Sequence, residues 1–177
     1  MARIDHLRLL ARYNGWMNAR LYEAAATLPA EALAENRGAF FGSILGTLEH
    51  LVVADTLWLT RFAALPPATA LAVVTALPRP VALDQIQFGA LAPLRDRRDL
   101  LDRAIEAFVG DLDDADLDRP LTYRSLKGVP ATRDFGLVLT HFFNHQTHHR
   151  GQTTTLLSQA GVDVGVTDFL MLIPQIG

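Results

Sequence analysis

Cysteine is absent from the 177 residues, which removes disulfides, thiolate metal sites and a cysteine nucleophile together. Any metal must be held by nitrogen and oxygen, and the composition fits a reducing compartment. Long apolar runs are lacking as well: the most apolar stretch, residues 63–77, is broken by Pro66 and Pro67 and is too short to span a bilayer. The opening Met1-Ala2-Arg3-Ile4-Asp5-His6 alternates charged with apolar residues and is read as carrying no signal peptide. A cytoplasmic protein with no membrane partner is the expectation. There is no dominant field of one sign, since acidic and basic residues are interspersed around a formal charge of −3, so nucleic acid is not an expected partner.

What the chain does have is helical periodicity. The first helix is expected from Asp5, as N-cap, through Leu9, Leu10, Tyr13, Trp16, Met17 and Leu21 towards Leu28, stopped by Pro29. Ser43 suits the N-cap of a second helix carrying Leu48, Leu51, Leu57, Trp58 and Phe62, ended by Pro66-Pro67. From Pro66 to Leu83 an Ala, Val, Thr and Pro composition reads as an irregular crossover, too apolar for a solvated tether. A third helix should start between Asp84 and Pro93 and present Leu94, Leu101, Ile105, Phe108 and Leu112 on one face. Its charged residues, Arg95, Arg97, Arg98 and Arg103 interleaved with Asp96, Asp99 and Asp102, are read as a solvated face. Residues 120–133 suggest a short hairpin or extended crossover around Lys127-Gly128. The last helix should begin near Thr132 or Asp134 and end at Ala160, capped by Gly161. The expected architecture is all-α, one domain over residues 1–177, with four long amphipathic helices in an antiparallel-type four-helix bundle, and a less regular helical fold as the alternative.

Four of the six histidines lie in the run His141-Phe142-Phe143-Asn144-His145-Gln146-Thr147-His148-His149. His145 and His149 stand four apart, so on a helix their Cβ atoms are roughly 5–6 Å apart on one face. Following Val138, Phe142, His145, His149, Gln152 and Leu156 in steps of four and three places both imidazoles on a core stripe. An unpartnered buried polar group costs on the order of 1–3 kcal/mol, and one cation would satisfy both rings. His50, beside the Leu51 stripe, is the candidate third ligand from another helix. Three histidines leave coordination positions open, as in catalytic rather than closed structural sites. The competing reading is three core histidines satisfied by neighbours such as Gln152, Glu49 or Asp55. The residue after His145 is Gln146, not glutamate, so the HExxH signature of zinc proteases is missing and peptide hydrolysis is unsupported.

The remaining candidates have narrower roles. His148 points about 100° away from His149 and is expected outside the site; His141 lies one turn before His145, and His6 is expected to be exposed. Gln152 is a candidate to orient a metal-bound water or to cap a polar cluster. Arg150 is a candidate to stabilise an anionic substrate or to form a surface ion pair. Tyr13, Trp16 and Trp58 are either core residues or the wall of a substrate pocket. The apolar tail Phe169-Leu170-Met171-Leu172-Ile173-Pro174-Gln175-Ile176 needs cover, either along the bundle or in a homodimer interface.

Three segments together resemble the DinB/YfiT-like family of metal-dependent enzymes: Tyr13-Asn14-Gly15-Trp16-Met17-Asn18; Phe41-Gly42-Ser43-Ile44 with Thr47-Leu48-Glu49-His50; and Asn144-His145-Gln146-Thr147-His148-His149-Arg150-Gly151-Gln152. The last is the most specific. The resemblance implies an up-down-down-up four-helix bundle, a homodimer, and a divalent metal, nickel or zinc, on His50, His145 and His149. It further implies chemistry similar to thiol-dependent S-transferases and a mycothiol-dependent isomerase, with a low-molecular-weight thiol as cosubstrate. The expected function is a metal-dependent enzyme on a small molecule, of thiol S-transferase or hydrolase type, with Gln152 and Arg150 as candidate catalytic residues. A non-catalytic, stress-related metal-binding bundle is the alternative.

Overall fold

Helix α1 (Arg3–Ala25) starts one turn before the carboxylate expected to cap it: Ala2 is the N-cap, and Asp5 accepts the Ala2 backbone N–H at 3.1 Å from inside the first turn. Pro29 then caps the five-residue α2 (Ala30–Ala34). The computed structural model describes residues 2–175. Helix α3 (Ile44–Phe62) begins as the sequence indicates, with Ser43 accepting the Gly46 N–H at 2.9 Å. Any side chain at Gly46 would meet the carbonyl oxygen of Phe41, so this glycine lets the preceding loop fold back onto the helix.

The crossover buries Leu71 and Val74 through a 3-10 turn (Thr69–Leu71) and the short α4 (Ala72–Thr75), which accounts for its apolar composition. Helix α5 (Leu91–Asp111) leads to an antiparallel hairpin, β1 (Pro120–Arg124) with β2 (Pro130–Asp134), in the register Pro120 opposite Asp134. Asp134 then caps α6 (Phe135–Gln159) by accepting the Leu137 N–H at 2.8 Å. Gly161, at φ +81°, follows the helix end in the left-handed conformation that glycine tolerates. The described residues are thus mostly helical with one two-stranded sheet.

Helix α1 packs against α5 and α6, and α3 packs against the same two. Phe62 centres an aromatic cluster, within 5.5 Å of Phe135 and Phe142 and 6.1 Å of Phe108 between ring centroids.

Two further sequence expectations, beyond the Asp5 cap, are corrected by the packing. The face of α5 is not uniformly solvated: Arg98 is 2% exposed and pairs with Asp55 at 2.6 Å and Asp102 at 2.9 Å. Residue 98 lies four after Leu94 and three before Leu101, so it belongs to the inward stripe, and two carboxylates make its burial tolerable. The core stripe of α6 is also rotated from the one expected. Gln146, Arg150 and Thr153 are buried, whereas His145 and Gln152 lie half-buried on the flank. That offset lets the histidines border the core and a solvent-connected cavity together.

The tail forms a 3-10 turn (Phe169–Leu172) against α1. Phe169 meets Tyr13 edge-on at 5.1 Å, and the Tyr13 hydroxyl donates to the Thr167 carbonyl at 2.7 Å. Leu170, Met171 and Ile173 remain exposed, and Ile176 lies outside the described residues. No described helix is long and apolar enough to cross a membrane.

Candidate metal centre

His50, in the second turn of α3, and His145 and His149, on consecutive turns of α6, meet where these two helices pack. One ligand atom from each lies within 4.8 Å of the others. His145 Nε2 is 3.3 Å from His50 Nε2 and 3.1 Å from His149 Nε2. The other nitrogens have partners: His50 Nδ1 donates to the Leu83 carbonyl at 2.8 Å, and His149 Nδ1 donates to Gln152 Oε1 at 2.7 Å. With both protons spent at Nδ1, His50 and His149 each present an Nε2 lone pair to the same point. His145 has one Nε2 proton at most and can satisfy only one of them. A donor set of three converging lone pairs fits a cation better than it fits a hydrogen-bonded histidine cluster.

The rings are held neutral. Burial, reinforced by the neighbouring His149 and His50, pushes His145 down from 6.5 to about 3. Burial likewise lowers His50 and His149, opposed by the hydrogen bonds at their Nδ1 atoms. Neutral imidazole is the coordinating form.

Residues beyond the ligands set this geometry. Phe41 stacks on His50 at 3.8 Å with planes 16° apart and meets His149 edge-on at 5.5 Å, closing one side of the cluster. Glu49 is buried and accepts three backbone N–H groups, from Gln87 at 3.1 Å and from Phe88 and Gly89 at 2.9 Å. It fastens the loop whose Leu83 carbonyl orients His50. Gln146 donates to Asp55 Oδ2 at 2.9 Å, joining the residue after His145 to the buried ion pair with Arg98. Glu49 and Asp55 are therefore engaged elsewhere, and of the three neighbours considered for the imidazoles only Gln152 bonds one. Sequence reasoning placed Phe41 and Glu49 in the segments that carry the family resemblance but missed their roles, which depend on the fold bringing His149 and the 83–89 loop to them.

On its open side the cluster borders a cavity of about 370 Å3. His50, His141 and His145 form one part of its lining, Trp58 and Arg61 another, with Leu126 and Lys127 from the hairpin turn. A second cavity of about 600 Å3 shares Trp58 and His141 and reaches Tyr123 and Arg133. Trp58 thus walls the site, whereas Tyr13 faces the tail, with Trp16 beside it at 6.0 Å. His141 is exposed at the cavity wall, and His148 and His6 are exposed. Arg150 is buried, so the expected surface ion pair is corrected, and it is not part of the cavity lining: it donates to Asn14 Oδ1 and to Thr147 Oγ1 and lies 5.3 Å over the Tyr13 ring. Burial lowers it to about 10.

The model of the DinB family matches residues 3–175. Protein DinB of Bacillus subtilis (strain 168) is 27% identical over 161 residues, covering 90% of this chain and 89% of the relative. No solved structure matches significantly.

Proposed function

Because the chain belongs to the DinB family, we propose that it is a metal-dependent enzyme in which His50, His145 and His149 would hold one divalent cation, nickel or zinc, beside the cavity that His50 and His145 line. The observation that carries this reading is the convergence of the three Nε2 atoms while two of the Nδ1 atoms are committed to Leu83 and Gln152. A bound cation there would supply Lewis acidity, favouring ionisation of a coordinated thiol or water and polarising a substrate carbonyl. The chain's own residues do the positioning. Gln152 fixes the tautomer and rotation of His149, Leu83 does the same for His50, Phe41 keeps water from one side, and Trp58 walls the substrate. Arg150 acts through the α1–α6 contact.

The substrate is a small molecule and the reaction a thiol S-transfer or a hydrolysis, with a low-molecular-weight thiol as cosubstrate in the first case. An accessible cavity beside the histidines favours this over a non-catalytic metal-stabilised bundle. The accompanying proposals are an up-down-down-up arrangement of α1, α3, α5 and α6 in one domain, a cytoplasmic homodimer, and no nucleic-acid partner.

Metal analysis tests the reading directly. Purified protein should carry about one divalent ion per chain, and His50→Ala, His145→Ala and His149→Ala should each abolish stoichiometric binding, while His148→Ala should be mild. Full metal content in the single variants would sink the assignment. Thiols with electrophilic substrates, assayed on loaded and stripped protein, then separate an enzyme from a passive metal binder.

A further inference from the structure

Arg61 enters the cavity beside the histidines without a counter-ion. Its guanidinium lies 4.5 Å over the Trp58 ring and 4.9 Å over the Tyr123 ring, so two aromatic faces fix its orientation. Among the described residues no carboxylate comes within ion-pair distance of it, and its Nε is buried without a hydrogen-bond partner. A half-buried, oriented and unpaired cation is costly unless something pairs with it. Lys127, the only lysine in the chain, also lines the cavity, from the exposed turn of the hairpin. Arg79 and Arg124 line an adjoining depression that shares Ser125 and Leu126 with it. Neither lining contains an aspartate or glutamate, although the chain as a whole is acidic at −3. The charged side chains of these two linings are therefore all cationic, while the larger cavity beyond Trp58 and His141 adds Arg133 together with Asp134.

We propose that this cavity selects anionic small molecules, with Arg61 and Lys127 holding a carboxylate or phosphate group of a ligand whose other end reaches the histidines. Only the second half of that statement rests on the metal reading above. Between the two ends the lining is apolar, through Ala54, Leu57 and Trp58, and the volume of about 370 Å3 falls in the range of small-molecule pockets, roughly 300–1,000 Å3. The ligand class is thus a short molecule with an oxyanion at one end, an apolar middle, and a donor atom or reacting bond at the other. Planar guanidinium favours bidentate pairing with such an anion.

The test uses full-length Trp16→Phe protein, leaving Trp58 as the sole tryptophan reporter, both as purified and after chelator treatment. Benzoate and phenylphosphonate, with benzyl alcohol as the neutral control, are titrated against Trp58 fluorescence. At least one anion should bind about tenfold or more tightly than the alcohol, with the difference shrinking as salt rises. The tighter anion distinguishes a carboxylate from a phosphate ligand. Arg61→Gln should remove most of this preference while leaving alcohol binding unchanged, and Arg61→Lys should restore part of it. Lys127→Gln, at an exposed turn, should weaken only the anion, by about threefold, and decides alone if Arg61→Gln does not fold. Equal affinity for anion and alcohol, or a preference untouched by these variants, overturns the proposal. The anion preference should persist after chelator treatment; if metal analysis finds no divalent ion in the protein as purified while the preference holds, the metal reading fails and the anion site stands.

Discussion

The Nδ1 of His50 donates to the backbone carbonyl of Leu83 across 33 positions of chain, at 2.8 Å. That bond turns Nε2 towards His145, and it survives only while the 83–89 loop stays in place. Glu49, the residue preceding His50, holds the loop through three backbone N–H groups.

Glu49→Ala should therefore weaken metal binding without altering any ligand. Loss of the acceptor leaves three part-buried N–H groups to find water and should cost about 1–2 kcal/mol in stability. Calorimetric titration of a divalent ion below the melting transition separates the two effects. Unchanged affinity in folded Glu49→Ala would mean that His50 needs no help from the loop.

The depressed His145 sets a pH dependence with a definite sign. Unfolded, the imidazole titrates near 6.5; folded, it titrates at about 3, because of burial and the adjacent His149 and His50. As pH falls below 6.5 the unfolded chain takes up a proton that the folded chain refuses, so stability is lost progressively towards pH 3. The lowered His50 and His149 act in the same direction. Melting temperatures of metal-free protein should be flat above about pH 7.5 and fall between pH 6.5 and 4. The slope should be shallower in His145→Ala, and an equal slope would deny His145 its share.

The pair of Arg98 with Asp55 gives a stability prediction of another kind. Asp55 is fully buried and also accepts from Gln146, so Arg98→Ala leaves a carboxylate without its cation and should cost about 3–5 kcal/mol. Replacing both by apolar residues should cost less than the sum of the single changes, although Asp102 still loses its ion pair with Arg98. A denaturant double-mutant cycle measures this, and additive losses would contradict the coupling.

The same pair shows where sequence reading reaches its limit. Helix starts at Ser43 and Asp134, the hairpin around Lys127-Gly128 and the His145–His149 pair follow from local chemistry or spacing, His50 joins them as a candidate through its stripe and the family resemblance, and each has its counterpart in the structure. Arg98 was legible too, since it occupies the step between Leu94 and Leu101, but its charge argues for solvent unless Asp55 is known to face it. That partner comes from another helix, as do the contacts that rotate α6 and the loop that Glu49 captures. Spacing along one helix reports a face; it carries no record of which distant polar groups will meet it.

At the other end of the chain, Phe169 packs edge-on against Tyr13 and also lies 6.4 Å from His6, while Leu170, Met171 and Ile173 face outwards. Deleting everything after Asp168 removes the half-buried ring and the exposed residues together. The ring's contact should be worth about 1 kcal/mol, a drop of roughly 2–4 °C in melting temperature for a chain of this length. If the exposed residues also meet a second copy, light scattering should show a shift from dimer towards monomer in the truncated protein. Loss of melting temperature with unchanged mass assigns the tail to α1 alone, and a Phe169→Ala variant that melts like the parent would remove even that role.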